Sequence, residues 1–331
     1  MKKEIAFIDH NFHKKSRSAD FLRKIYKKKY KIKNFWWSLK DQYQLINKIE
    51  NYNNFFFFQS LLPLDDMIRI KDKNIIWAPM YDNLNLSSNY WRKIKYLNIK
   101  ILSFSKPVKK LSKKYNCDHV DLKYALNTSG IKKVNRKKIK IFFWYRNNFY
   151  TKDWIKLFNK DDVEEIIYFK CPDPGRKPEK IKDDDLKNFN FKIIDKDFLP
   201  KKTYLNLIKN CDVFISPRKQ EGIGMSFLEA LSMGKYIVAN NDSTMNEYIK
   251  NSKIGFLVDQ NTKKKINISE IIKSKAYRKM NARKIFIKWN KDKKKILKFS
   301  NKVSSNKNNK YLKRILFFDD YLKKIKFKIK N

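Results

Sequence analysis

Two carboxylates and two glycines crowd into Glu221-Gly222-Ile223-Gly224-Met225-Ser226-Phe227-Leu228-Glu229. Glycines at 222 and 224 let a backbone come close to a ligand, and a helix opening near Met225 offers free N–H groups and the positive end of its dipole. A diphosphate suits such a place. Phe227, Leu228 and Leu231 share one helical face; packed on a sheet, that face turns Glu229 away, beside Met225 and Ser232. Glu229 then stays free to meet a ligand. A solvated glutamate and glycines that merely shape a turn explain the same spacing, and spacing alone leaves both open.

The elements that must position this segment surround it. The run Val213-Phe214-Ile215 precedes it and Tyr236-Ile237-Val238-Ala239 follows, so the grammar is strand, glycine loop, short helix, strand. Upstream come Ile141 to Tyr145, Ile166 to Phe169 and Phe191 to Ile194, and an earlier series of Ile5 to Ile8, Phe55 to Phe58, Ile75 to Trp77 and Ile99 to Phe104. Buried runs alternating with polar helical stretches make parallel sheets. Lys132 to Lys140 is basic and poor in apolar residues, which predicts a boundary there between two doubly wound α/β domains, 1–135 and 136–260, with loops directed into one shared cleft. From 261 to 331 the pattern turns helical. Ala282, Ile285, Phe286 and Trp289 form one apolar stripe, Ser304 to Asn309 a polar linker, and Leu312, Ile315, Leu316, Leu322 and Ile325 a second stripe among lysines.

Lys plus Arg number 78 against 33 Asp plus Glu, a formal charge of +45, which points first to nucleic acid or an anionic membrane. Lys, Asn, Ile, Phe and Tyr are abundant while Gly and Pro are scarce, the mark of an A+T-rich coding sequence. Such bias acts everywhere, yet residues 261–331 alone hold 25 basic and 4 acidic residues. This local excess predicts a tail that lies on an anionic membrane surface, or one whose apolar stripe braces the N-terminal domain. Aromatics among lysines, in Phe35-Trp36-Trp37 and Tyr311 to Phe318, also fit a nucleic-acid binder, which leaves the glycine loop unexplained. Cys117, Cys171 and Cys211 have neither disulfide nor zinc spacing. With no signal peptide and no apolar run near ~20 residues, a cytoplasmic protein, soluble or peripheral at the inner face of the membrane, is expected. Asp183-Asp184-Asp185 sits in a charged run without a preceding strand and reads as a solvated helix start rather than a metal motif.

Glu221, seven residues, then Glu229 resembles the E-x7-E signature of retaining GT-B glycosyltransferases of the glycosyl transferases group 1 family. Cys211 to Pro217 resembles that family's strand ending in proline, and Gly234, Tyr236 to Ala239, Asn246-Glu247-Tyr248-Ile249 and Gly255-Phe256-Leu257-Val258 resemble its ending. The resemblance covers roughly 136–260 and implies a GT-B fold: two Rossmann-like domains facing a cleft, with a C-terminal helical tail. It implies transfer of a sugar from a nucleotide-sugar to a hydroxyl of a saccharide or lipid-linked saccharide, with retention, in cell-surface polysaccharide synthesis. By position, Glu229 would hold the ribose hydroxyls and Glu221 would face the donor sugar. Gly222, Ile223 and Gly224 would give backbone contacts where Met225 opens the helix. The chemistry agrees, since carboxylates accept from paired hydroxyls and backbone N–H groups do not repel phosphate.

Arg146 and Lys152 resemble the family's diphosphate clamp, with Tyr145 and Asp153 in place of its usual glycines. His10, directly after the first strand with His13, would bind the acceptor or assist its hydroxyl, the plainer alternative being a surface histidine. Glu247 is explained by the capping-box spacing of Thr244-Met245-Asn246-Glu247. The clamp and helix start would stabilise the departing nucleotide diphosphate, so neither metal nor cofactor is expected. A sugar-binding GT-B subunit without turnover, and a basic nucleic-acid-binding protein, are the alternatives.

Overall fold

The computed structural model describes residues 2–38, 40–128, 137–260, 262 and 264–302. The chain divides into two compact units, Met1–Leu122 with the chain from Lys291 on, and Lys123–Asn290.

In unit 1, β1 (Lys3–His10), β2 (Tyr30–Trp37), β3 (Asn54–Gln59), β4 (Asn74–Pro79), β5 (Lys100–Ser103) and β6 (His119–Asp121) form one sheet in the order β2-β1-β3-β4-β5-β6. Every pairing is parallel. Phe55 to Phe58 of β3 are all buried. Consecutive residues point to opposite faces, so four buried phenylalanines in a row require cover on both sides, and each contributes roughly 1.5–3 kcal/mol. The order of strands reverses between β1 and β3.

In unit 2, β7 (Ile139–Tyr145), β8 (Val163–Lys170), β9 (Phe191–Asp195), β10 (Val213–Ile215), β11 (Tyr236–Asn240) and β12 (Gly255–Val258) form a second parallel sheet, ordered β12-β11-β10-β7-β8-β9. Here the reversal lies between β7 and β10. Crossovers leave β7 to one side for β8 and β9, then return to its other side for β10. Their connecting loops part at that point and leave room beyond the carboxyl ends of the strands, where open α/β sheets hold ligands.

The units part at Leu122/Lys123, whereas the sequence placed the boundary at 135/136, among residues outside those described. The expected separate tail from 261 is divided too. Its first part belongs to unit 2 and its part from Lys291 to unit 1, because the helix Lys275–Ser300 runs through residue 290 without a break. Ala282, Trp289 and Ile296 are its buried apolar residues, one every second turn. At its end the Ser300 and Tyr26 hydroxyls pair at 2.7 Å, Asn74 Nδ2 donates to the Ser300 carbonyl at 3.1 Å, and Lys100 Nζ donates to the carbonyls of Ser300 and Lys302 at 2.8 and 2.6 Å. These donors close carbonyls that a helix end leaves open. The second expected tail helix, Leu312 to Ile325, lies outside the described residues.

Asp183 to Asp185 form the first turn of the helix Asp183–Asn188, the first two exposed and Asp185 half-buried, where three acids meet the positive end of the helix dipole. The aromatics Phe35-Trp36-Trp37 end β2: Trp37 is buried, Phe35 packs on Tyr52, and Trp36 lies under the Arg23 guanidinium.

Candidate functional site

Four segments supply the polar groups beyond the β7/β10 reversal in unit 2. The loop after β10 carries Glu221, Gly222, Ile223 and Gly224, all buried. Gly224 begins the helix Met225–Ser232 at φ +70°, a conformation that disfavours any side chain, and so leaves the first N–H groups without a side-chain cap. Glu221 donates its backbone N–H to the Ser243 carbonyl at 3.2 Å, which fixes the loop against the chain after β11.

Glu229 does not turn toward solvent. Residues 226 to 232 are all buried, and a second helix, Lys201–Asn210, packs beside them and against β7. Glu229 is only 6% exposed, and its Oε1 accepts from the Lys201 ammonium. Among the described residues its Oε2 has no hydrogen-bond partner. Burial pushes the carboxyl up from the ordinary glutamate value, and Lys201 opposes that shift. Tyr204, from the same helix as Lys201, is buried against Phe142 and Trp144; burial first and the Glu229 charge second hold its hydroxyl protonated. Tyr124 feels the Glu229 charge as well.

Arg146, just past β7, lies over the Trp144 ring at 4.7 Å and reaches Asp173 with Nε and Nη2, at 2.9 and 2.7 Å. Lys152 is not brought to it. Its exposed ammonium stands 5.5 Å from the Tyr150 ring centroid, away from the Arg146–Asp173 and Lys201–Glu229 pairs. Its short helix is instead held by half-buried Glu179, which accepts from Thr151 N and Oγ1 at 2.7 and 2.9 Å. The expected capping box at Glu247 is also absent: Thr244 makes no side-chain cap, and Glu247 accepts from Ser243 Oγ at 3.1 Å.

In unit 1 the end of β1 holds a second constellation. Asp9 is fully buried and accepts from His10 N at 2.8 Å, from His13 Nδ1 at 2.5 Å and from Arg23 Nη2 at 2.8 Å. Three donors keep the carboxylate satisfied without solvent. They also assign the proton of neutral His13 to Nδ1, which makes Nε2 the acceptor. His10 is opposite in sense. Its Nδ1 accepts from Phe12 N at 3.2 Å, so its Nε2 carries the proton and donates. Burial, then His13, lower its pKa, while Asp9 raises it.

Residues 188–288, a little under a third of the chain, match the family model described as glycosyl transferases group 1, and both glutamates fall within the match. That segment is similar to the glycosyl transferases group 1 family. No curated protein sequence matches the chain. In fold the chain is similar to a glycosyltransferase from Rickettsia africae, at 14% identity and TM-score 0.59, over 92% of this chain and 100% of that one. It is similar also to HepE of Anabaena, solved with UDP and glucose, at 12% identity and TM-score 0.56, over 89% and 99%. A sucrose-phosphate synthase from Thermosynechococcus elongatus shares the fold at 9% identity and TM-score 0.58, over 90% and 98%. The two parallel sheets with their helices are thus a GT-B fold. Lys201, Tyr204, Asp173 and Asp9 were not visible from the sequence. Only their neighbours in space mark them, since none lies in the glycine-loop segment.

Proposed function

We propose that this chain is a glycosyltransferase that moves a sugar from a nucleotide-sugar to a hydroxyl of a saccharide or lipid-linked saccharide, with retention at the anomeric carbon, in cell-surface polysaccharide assembly. The observation that supports this reading is Glu229 Oε2, a buried acceptor without a hydrogen-bond partner among the described residues, which a ribose hydroxyl would satisfy. Gly222 to Met225 then lie along the diphosphate, Arg146 takes its charge, and Glu221 faces the sugar. With that charge held by protein groups, the reaction calls for no metal. His10 would donate Nε2–H to an acceptor oxygen, which positions that oxygen rather than deprotonating it.

UDP-sugars are the first donors to test, given the UDP and glucose bound by HepE. In a thermal-shift panel of UDP, GDP and ADP with their glucose conjugates, one nucleotide at about 100 times its Kd adds about 2.7 kcal/mol of stability and raises Tm by several degrees. Its conjugate then turns over with a saccharide acceptor. No shift with any member sinks the donor site, and a shift without turnover of any conjugate supports a binding subunit instead.

Lys201 keeps Glu229 ionised in this scheme. Nucleotide affinity falls as pH drops and Glu229 takes a proton, since a protonated carboxyl loses acceptor strength. Lys201→Met removes the group that opposes the upward shift, so the loss of affinity moves to higher pH, while Lys201→Arg restores the wild-type profile. Superimposable pH profiles for wild type and Lys201→Met exclude this role. Among the described residues no helix is long and apolar enough to cross a membrane. The basic excess after 261 supports a further proposal, reversible attachment to an anionic leaflet, at roughly 1 kcal/mol for each Lys or Arg near the surface.

A further inference from the structure

Strands β7 and β10 are parallel neighbours with Phe143 opposite Ile215. Three residues beyond each partner of that pair stand Arg146 and Arg218. Both arginines close on one carboxylate. Asp173, from the loop after β8, gives Oδ1 to Arg146 and Oδ2 to Arg218, the latter at 2.5 Å from Nη2. The three side chains are largely buried. Backbone bonds hold the arrangement: Asp173 N donates to the Arg146 carbonyl at 2.8 Å, and Lys219 N donates to Asn148 Oδ1 at 3.0 Å. Thus the loops that leave β7, β8 and β10 meet around a single negative group.

A carboxylate held by two guanidiniums, one on each oxygen, marks a place where an anion with several oxygens fits, and phosphate offers both more oxygens and more charge than Asp173. Arg218 is also three residues from Glu221, on the loop that leads to Gly222 and Gly224. We propose that Arg218 is a ligand of the donor's diphosphate, forming with Arg146 a pair of guanidiniums at the β7/β10 reversal. This inference rests on the donor site proposed above and adds to it a cation that the resemblance did not supply.

The test is calorimetry on the full-length protein with UDP, GDP and ADP and with uridine, guanosine and adenosine. Arg218→Met should weaken the preferred diphosphate about ten- to a hundredfold and leave its nucleoside unchanged, since only phosphate meets the guanidinium. Arg218→Lys, which keeps the charge without the fork, should fall between; it replaces the methionine variant if that one fails to fold. Wild-type diphosphate affinity in these variants overturns the assignment and spares the donor site. Equal losses for diphosphate and nucleoside overturn it too, by showing that Arg218 only shapes the loop. If wild-type protein binds none of the six, the donor site itself is wrong and this inference falls with it.

Discussion

Glu229→Gln is expected to abolish most donor binding while leaving the protein as stable as before, or more so. Hydrogen bonds to a charged group contribute about 1.5–3 kcal/mol, so replacing the carboxylate by an amide should lower nucleotide affinity roughly ten- to a hundredfold, with turnover falling at least as far. Stability moves differently, as the sign of the proton linkage shows. Burial raises the Glu229 pKa in the folded chain, so the folded state holds this proton more tightly than the unfolded state does. The stability that protonation supplies is lost as pH rises from the unfolded value through the raised one, and at neutral pH the ionised group opposes folding. An uncharged amide of the same shape removes that opposition, and exposed Lys201 loses little when its partner goes. Titration with nucleotide and a thermal melt read the two effects separately. A Tm several degrees below wild type, or unaltered affinity, would show that Glu229 serves the fold and not the ligand.

Truncation within the long C-terminal helix should have the other large effect, on unit 1. A chain ending at Asn290 loses Ile296, which is fully buried, and the acceptors of Lys100, whose pKa burial has already brought down to about 8. Removal of a buried isoleucine costs about 2–5 kcal/mol and an unsatisfied buried donor about 1–3 kcal/mol or more, against about 5–15 kcal/mol for a whole domain. Circular dichroism should show unit 1 unfolded in that chain. A chain ending at Lys302 keeps these contacts and should melt within a few degrees of full length. It lacks nine basic and two acidic residues, so it should pellet less with anionic vesicles, most visibly at low salt. Equal pelleting of the two chains excludes attachment through 303–331, and a folded chain ending at Asn290 excludes the bracing role.

Much of the fold was legible because parallel strands buried on both faces leave uninterrupted apolar runs. Phe55 to Phe58, Ile141 to Tyr145 and Val213 to Ile215 lie in β3, β7 and β10. The strands that escaped, β2 and β6, are the two edges of the unit 1 sheet. Lys31 and Lys33 point outward from β2, and β6 has only three residues, none of them fully buried. Edge strands need polar faces to resist further pairing, which erases the pattern that reveals central ones. At the site, helical spacing expected Glu229 to stay free and could not show a second helix packed beside it, whose Lys201 meets the carboxylate. Lys201 is 28 residues from Glu229 in the chain, and no local period connects them. Arg218 was visible as a residue and invisible as a site, since its relation to Arg146 exists only in the register of β10 against β7.

The helix Lys275–Ser300 also sets an order on the making of the molecule. Unit 2 is one continuous segment, Lys123–Asn290, whereas unit 1 needs both its first 122 residues and Ser300 beside Tyr26, 274 positions apart. On the ribosome the N-terminal sheet is synthesised first yet completed last, after unit 2 has emerged whole. Its Tyr26 hydroxyl and Lys100 ammonium wait for partners throughout that interval. The abundance of charge along the chain then acquires a use during synthesis, keeping an unfinished sheet from pairing with its neighbours on the same messenger.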